Sequence, residues 1–177
     1  DTQVSEYLAA HHINVKEYDT VVDFLKSLPA GNVILVDNRY CSYTLYKTLQ
    51  KNQQLIEGKN PTELLKAIKN PVEQARMQEI FLKDSVAVTK FIYWLKTHVG
   101  KEKITEVTAA DYLEQKRREI PEFLDLSFPT IAGYKSNAAM MHYEATPENC
   151  ATLEPEGMLL VDSGGQYLGG TTDVTRT

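Results

Sequence analysis

Cysteine is scarce in this chain: Cys41 and Cys150 are the only two in 177 residues, far apart and in no paired motif. That usage argues against a disulfide framework and reads as a reduced, intracellular chain. Long apolar runs are also missing, so no segment reaches the length needed to span a bilayer. No signal peptide is visible. The expected location is therefore the cytoplasm. Positive charge is not in excess, since 19 Lys and Arg stand against 24 Asp and Glu, a formal net charge of −5. Neither nucleic acid nor an anionic membrane is expected as a partner. There is no internal repeat and no low-complexity tract. What remains is 42% apolar and 24% charged residues, the balance of a soluble globular protein. The length accommodates one ordinary domain or parts of two. Both ends are abrupt, with Asp1 at the start and Thr177 inside a strand-like run, so the chain is expected to be a fragment of a longer protein.

Helical spacing of Val4, Tyr7, Leu8 and His11 predicts a first helix, with Asp1 or Thr2 as its cap. Residues 13–18 form a short strand candidate. A helix over 21–28 follows, and Pro29-Ala-Gly31 ends it. Val33-Ile-Leu-Val36 is wholly apolar and predicts an interior strand. Residues 41–50 look helical, 54–57 form another strand candidate, and 62–68 a helical turn. This alternation suggests an α/β domain. Pro71 sits where a helix favours proline, and the stripe Met77, Ile80, Phe81, Ala87, Val88, Phe91, Trp94, Leu95 predicts a long helix to Val99. Asp84 lies near that stripe and is expected to be partly buried with a local hydrogen bond. Trp94 is assigned to the core, and His98 to a favourable place at the helix C-terminus. Thr108 is the expected cap of a helix over 109–120, on which Lys116, Arg117, Arg118 and Glu119 read as a solvated face. Beyond Pro121 the pattern turns to β, with strand candidates at 124–128 and 130–134. The small, apolar run 137–143 also reads as a strand, and it contains His142, a residue that core or edge hydrogen bonding would explain equally well.

The last twenty residues carry the chemistry of interest. Asp162 ends the apolar run 158–161, and Asp173 lies in a second strand-like run, 171–177. A two-residue turn centred on Leu168-Gly169 would set Asp173 opposite Gly164 and put Asp162 two residues further along the facing strand. Residues two apart on a strand share a face. The two carboxylates would then be diagonal neighbours, roughly 7–8 Å apart at the backbone, able to share one or two cations. Centring the turn on Gly169-Gly170 would separate them. On spacing alone a metal site and a solvated surface hairpin remain equally open. Thr175, on the face of Asp173, is a candidate donor to a metal-ligating carboxylate or an ordinary strand threonine. Arg176 points to the other face.

The residues Asp162-Ser-Gly-Gly-Gln-Tyr and Gly170-Thr-Thr-Asp-Val-Thr-Arg-Thr177 closely resemble the metal hairpin of Xaa-Pro aminopeptidases (aminopeptidase P). These are pita-bread metallopeptidases related to prolidase, creatinase and methionine aminopeptidase. Lys69-Asn-Pro-Val-Glu-Gln, Asp125-Leu-Ser-Phe-Pro-Thr-Ile and Asn137-Ala-Ala-Met-Met-His-Tyr resemble upstream segments of the same family. The likeness implies an α/β (α+β) fold. Residues 1–68 would be the end of a non-catalytic creatinase/prolidase N-terminal-type domain, and residues 69–177 the N-terminal part of a truncated pita-bread catalytic domain. It further implies that Asp162 chelates one ion of a two-metal site, usually manganese, that Asp173 bridges both ions, and that His142 is the catalytic residue beside them. A proline-containing peptide is the implied substrate, and a homodimer is left open for the full-length protein. Gly169 departs from close relatives, which commonly carry a charge there.

The family completes its site with one histidine and two glutamates from later in the domain, beyond Thr177. Residues 1–177 alone are therefore expected to bind metal weakly and to be inactive, because tight binding needs a complete preformed site. Two alternatives stand beside the aminopeptidase: a non-catalytic pita-bread module that binds peptides or proteins, and a prolidase-type dipeptidase.

Overall fold

Val33–Val36 (β1) and Gln54–Glu57 (β2) pair in parallel, Val33 with Gln54 through Val36 with Glu57, in the computed structural model, which describes residues 2–177. Asp1, one of the two candidate caps, lies outside the described residues. The chain divides into two units between Ile68 and Lys69.

In the first unit, helices Thr2–Ala10 (α1), Val21–Ser27 (α2), Tyr43–Gln50 (α3) and Pro61–Ala67 (α4) alternate with the two strands. Ser42 caps α3 by accepting from the Leu45 N–H, and Asn60 caps α4 by accepting from Thr62. Two expectations fail here. Residues 13–18 form no strand, and a short 3-10 helix covers Tyr18–Thr20; no neighbouring strand offers a ladder to this segment. β1 is not interior either: only Val36 of its four residues is buried, because β2 is its one strand neighbour among the described residues. At the end of β1, Asp37 accepts two bonds from the Arg39 guanidinium and one from the Asn60 N–H. These hold its carboxyl far below the usual range and tie the loop after β1 to the cap of α4.

The second unit begins with Pro71–His98 (α5). Asn70 caps it in a reciprocal box, accepting from the N–H groups of Val72 and Glu73 while Glu73 accepts from the Asn70 N–H. Glu106–Arg118 (α6) follows. Its cap is Thr105 rather than Thr108. Thr108 is the third helical residue, and its hydroxyl accepts from the Thr105 N–H to close the box. Two three-stranded antiparallel sheets come next. One orders Ile131–Tyr134 (β4), Leu159–Ser163 (β5) and Val174–Arg176 (β8); the other orders Phe123–Leu126 (β3), Gly165–Tyr167 (β6) and Gly170–Thr171 (β7). The core joins Val88 and Phe91 of α5, Ala109 and Leu113 of α6, and Ile104, Tyr134, Leu153 and Val161. Trp94 is partly buried against this core and stacks on Tyr112 with ring centroids 3.9 Å apart. Among the described residues, no helix is long and apolar enough to cross a membrane.

Three polar-tipped side chains of this unit are buried where hydrophobic patterning would not put them. Asp84 and Arg117 are both fully buried. Arg117 donates through Nε (2.7 Å) and Nη2 (3.2 Å) to the two carboxylate oxygens of Asp84. The Tyr167 hydroxyl donates to Asp84 Oδ1 at 2.5 Å. Burial, then the neighbouring carboxylate, pushes the Tyr167 phenol well above its ordinary range. Asp84 is thus a long-range anchor between α5, α6 and β6, not a locally bonded helix residue. Arg117 is no part of a solvated face: only its neighbours Lys116, Arg118 and Glu119 make surface ion pairs.

Candidate metal centre

The hairpin turns at Leu168-Gly169, since Tyr167 pairs with Gly170 and Gln166 with Thr171. Further along, Ser163 pairs with Val174, Asp162 with Thr175 and Val161 with Arg176. Residues 163–165 separate Asp162 from Gln166, and residues 172–174 separate Thr171 from Thr175. With three residues on each side, no bulge intervenes and Asp173 falls opposite Gly164. This is the register that brings Asp162 and Asp173 to one face.

That face is distinct from the helix-packed one. Tyr134 and Val161 enter the core with α5 and α6, and they alternate with Gly133 and Asp162 along their strands. Ile131 faces Asp162 across the β4–β5 ladder, and Gly133 faces Leu160. Ile131, Gly133, Leu160, Asp162 and Thr175 therefore share the face turned away from the helices, and Asp173 follows two residues from Thr175. The Thr175 hydroxyl donates to Asp162 Oδ1 at 2.7 Å. Among the described residues, no hydrogen bond engages the other oxygen, Asp162 Oδ2.

The hairpin is pinned where its two sheets meet. Thr172 is fully buried. Its Oγ1 accepts from the Gly165 N–H, its own N–H donates to the Gly165 carbonyl, and its carbonyl accepts from the Ser127 hydroxyl. Gly164 leaves no room beside this lock: a Cβ there would lie 2.0 Å from the Thr172 carbonyl oxygen and 2.3 Å from Ser127 Oγ.

His142 does not sit on a strand. Residues Lys135–Ala139 form a 3-10 helix, and the backbone continues through His142 at φ 58°, in the left-handed region. The run is apolar enough to resemble a strand, but it folds back instead of pairing. A Cβ on Gly133 would lie 2.8 Å from the Ala138 Cα and 3.2 Å from the Asn137 carbonyl carbon. The 3-10 helix therefore covers the same sheet face that carries Asp162 further along, and His142 lies three residues beyond its end.

A residue with no sequence signal governs this segment. Glu106, the first residue of α6, is fully buried. Its carboxylate accepts from the Tyr134 N–H (2.7 Å), the Ala151 N–H (2.7 Å), Asn137 Nδ2 (3.0 and 3.2 Å) and the Tyr143 hydroxyl (2.8 Å). Burial opposes its charge, yet these donors outweigh burial and hold its pKa below the ordinary glutamate value. Burial and Glu106 together push the Tyr143 phenol up to about 12.

The donor chemistry fits a hard divalent cation as far as it goes. Asp162 and Asp173 offer carboxylate oxygens on one face, and among the described residues neither makes an ion pair with Lys, Arg or His. No described group of three or more His, Cys, Asp and Glu residues could hold a metal by itself. Two aspartates alone fall short of the six or so ligands that such an ion takes.

Residues 75–177 match the model of Metallopeptidase family M24, and residues 1–73 match the Creatinase/Prolidase N-terminal domain. The chain is 37% identical over 166 residues to Xaa-Pro aminopeptidase 2 of Mus musculus, covering 93% of this chain and 25% of that protein. It is 35% identical over 193 residues to a probable Xaa-Pro aminopeptidase P of Fusarium vanettenii, covering 100% of this chain and 31% of the relative. Its fold matches the crystal structure of X-prolyl aminopeptidase from Caenorhabditis elegans, a cytosolic enzyme with a di-nuclear active site. The TM-score is 0.87 at 24% identity, over 99% of this chain and 30% of that one. This chain thus spans about a quarter to a third of the length of these relatives. The M24 match covers more than half of the chain, which belongs to metallopeptidase family M24 and carries its pita-bread fold behind a creatinase/prolidase-type N-terminal unit.

Proposed function

We propose that this chain is part of a cytoplasmic, metal-dependent aminopeptidase that removes the N-terminal residue from peptides with proline in second position. Residues 1–68 are read as the end of the non-catalytic domain and residues 69–177 as the first part of the catalytic one. The observation that carries this reading is the hairpin register, which puts Asp162 and Asp173 on one sheet face, where among the described residues neither makes an ion pair with Lys, Arg or His. Family membership and the likeness to Xaa-Pro aminopeptidases support it.

Asp162 and Asp173 would hold two divalent ions, manganese suiting their hard oxygen ligands, together with ligands from the rest of the protein. When bound, such a pair supplies an activated water and polarisation of the scissile carbonyl. Both aspartates would supply carboxylate oxygens to the ions from one sheet face. Thr175 orients Asp162 from the facing strand. His142 would bind substrate or hold a proton near the attacked carbonyl.

The test is hydrolysis by the full-length protein of matched peptides with proline or alanine in second position. Turnover should favour proline, vanish on chelation and return with manganese. Asp162→Asn and Asp173→Asn should each bring it to background. Residues 1–177 alone should give none. Activity that survives chelation, or that survives either substitution, would rule the reading out. Cleavage confined to dipeptides would favour a prolidase instead, and binding of proline peptides without cleavage a non-catalytic module.

Thr175 gives a graded prediction. Thr175→Val keeps the shape of the side chain and removes the hydroxyl that donates to Asp162. Removing such a partner of a metal ligand typically costs about 10- to 100-fold in metal affinity or activity. Manganese titration of the full-length variant should show a loss of that size with little change in melting temperature. An unchanged affinity would make Thr175 an ordinary strand residue.

A further inference from the structure

We infer that Glu106 is a positioning residue for the reaction: by binding Asn137 and Tyr143 at once, its buried carboxylate fixes the segment that presents His142. The inference rests on the reading above, in which His142 meets the substrate.

The geometry is specific. Asn137 and Tyr143 bracket residues 138–142, and both give side-chain hydrogen bonds to the same carboxylate. Asn137 Nδ2 also donates to the Tyr143 oxygen at 3.1 Å, so the two ends of the segment touch each other. The backbone bonds from Tyr134 and Ala151 fix the carboxylate against β4 and the connection that leads to β5. The Thr105–Thr152 bridge and the Leu153 N–H bond to Ile104 hold that connection to the start of α6. Glu106 is thus tied to the framework through main chain and to the segment through side chains.

His142 is the residue that needs this support. It occupies the left-handed region at φ 58°, which a residue with a Cβ adopts only where its surroundings determine it. It is exposed, while Tyr143, its neighbour, is buried. The conformation swings the chain from solvent to core within one residue. The Tyr143–Glu106 bond fixes the inward end of that swing, and the 3-10 helix packed over Gly133 fixes the outer one. Among the described residues, four donors and no ion-pairing cation face Glu106, so an amide in its place would turn an N–H₂ toward groups that need an acceptor. The carboxylate is required for the clamp, not merely tolerated.

A residue that only stabilised the fold would act independently of His142. A positioning residue acts through it, and a double-mutant cycle separates the two. In the full-length protein, Glu106→Gln should lower kcat/KM on a proline peptide on the order of 10- to 100-fold. The loss should divide between kcat and KM as it does for His142→Ala. In the His142→Ala background Glu106→Gln should add no further loss, and manganese affinity should stay unchanged. Amide hydrogen exchange, which needs no turnover, should rise over residues 135–143 and stay unchanged over 159–176. Tyr143→Phe removes one arm of the clamp without burying an amide, and should show the same pattern at smaller size if the glutamine variant does not fold. Equal losses with and without His142, or unchanged exchange over 135–143, would overturn the inference. Absence of turnover in the wild-type protein would overturn the proposed function and the catalytic part of the inference, and exchange would still decide whether Glu106 holds the segment.

Discussion

Asp84→Ala should destabilise residues 69–177 by about 3–5 kcal/mol, the usual cost of removing one partner from a buried ion pair. In a chain of this size that corresponds to a drop in melting temperature of about 6–20 °C. Little of the cost lies in the attraction lost. Arg117 is a guanidinium, is fully buried, and would lose the carboxylate that accepts from its Nε and Nη2. Its Nη1 has no partner even with Asp84 present, so the site has no spare acceptor to redistribute. Tyr167 would lose the carboxylate that accepts from its hydroxyl as well. A comparison makes the argument sharper. Glu114→Ala, which breaks the surface pair with Arg118, should cost less than about 1 kcal/mol. The double change Asp84→Leu with Arg117→Met removes both charges and should recover much of the stability lost by Asp84→Ala. Denaturant unfolding of the three variants measures this. A loss at Asp84 no larger than at Glu114 would mean that water reaches Arg117 and the triad is not dry.

This triad shows where sequence reasoning stops. The long helix α5 was legible, because Asn70-Pro71 opens it and an apolar stripe runs its length. Asp84 on that stripe was visible too, but its partners come from 33 and 83 residues away, and no local pattern encodes them. Arg117 was harder still. Flanked by Lys116, Arg118 and Glu119, it reads as one of a solvated run, although helical geometry turns it alone toward Asp84. The cap of α6 lies three residues before Thr108, because Thr105 and Thr108 are the two ends of one box and either threonine fits the cap pattern.

Runs 13–18 and 137–143 have strand-like composition, and neither is a strand. Composition reports burial tendency, whereas a strand also needs a neighbour to pair with. The apolar run of β1 predicts burial on both faces, and with one strand beside it β1 achieves this only at Val36. The hairpin was legible because one turn position fixes every pair along it. The aspartate face followed from the turn at Leu168-Gly169. Glu106 did not: its acceptor role depends on donors at 134, 137, 143 and 151, all later in the chain and assembled only by the fold.

The same hairpin carries the other large effect. Gly164→Ala should separate the strands at the point where the two aspartates converge. The new Cβ would lie 2.0 Å from the Thr172 carbonyl oxygen and 2.3 Å from Ser127 Oγ, far inside any contact distance. Ser127 has a side chain that can rotate away, at the loss of its bond to Thr172. The Thr172 carbonyl is backbone and has no such freedom, so the strand bearing it must move by an ångström or more. Overpacking of this kind typically costs about 1–3 kcal/mol and sometimes more. Here the strain falls on the residue before Asp173, which is itself opposite Gly164 in the register. Asp173 should therefore shift from Asp162, and manganese affinity of the full-length protein should fall together with stability. Gly169→Ala is the matched control. Its Cβ would meet Ile80 Cγ1 at 3.2 Å, a side-chain contact that can give, in the same hairpin but at its tip. It should leave metal affinity unchanged and cost little stability. If both alanines lowered manganese affinity alike, the effect would belong to the hairpin as a whole. If Gly164→Ala lowered stability and spared the affinity, the two carboxylates would not depend on the close approach of their strands.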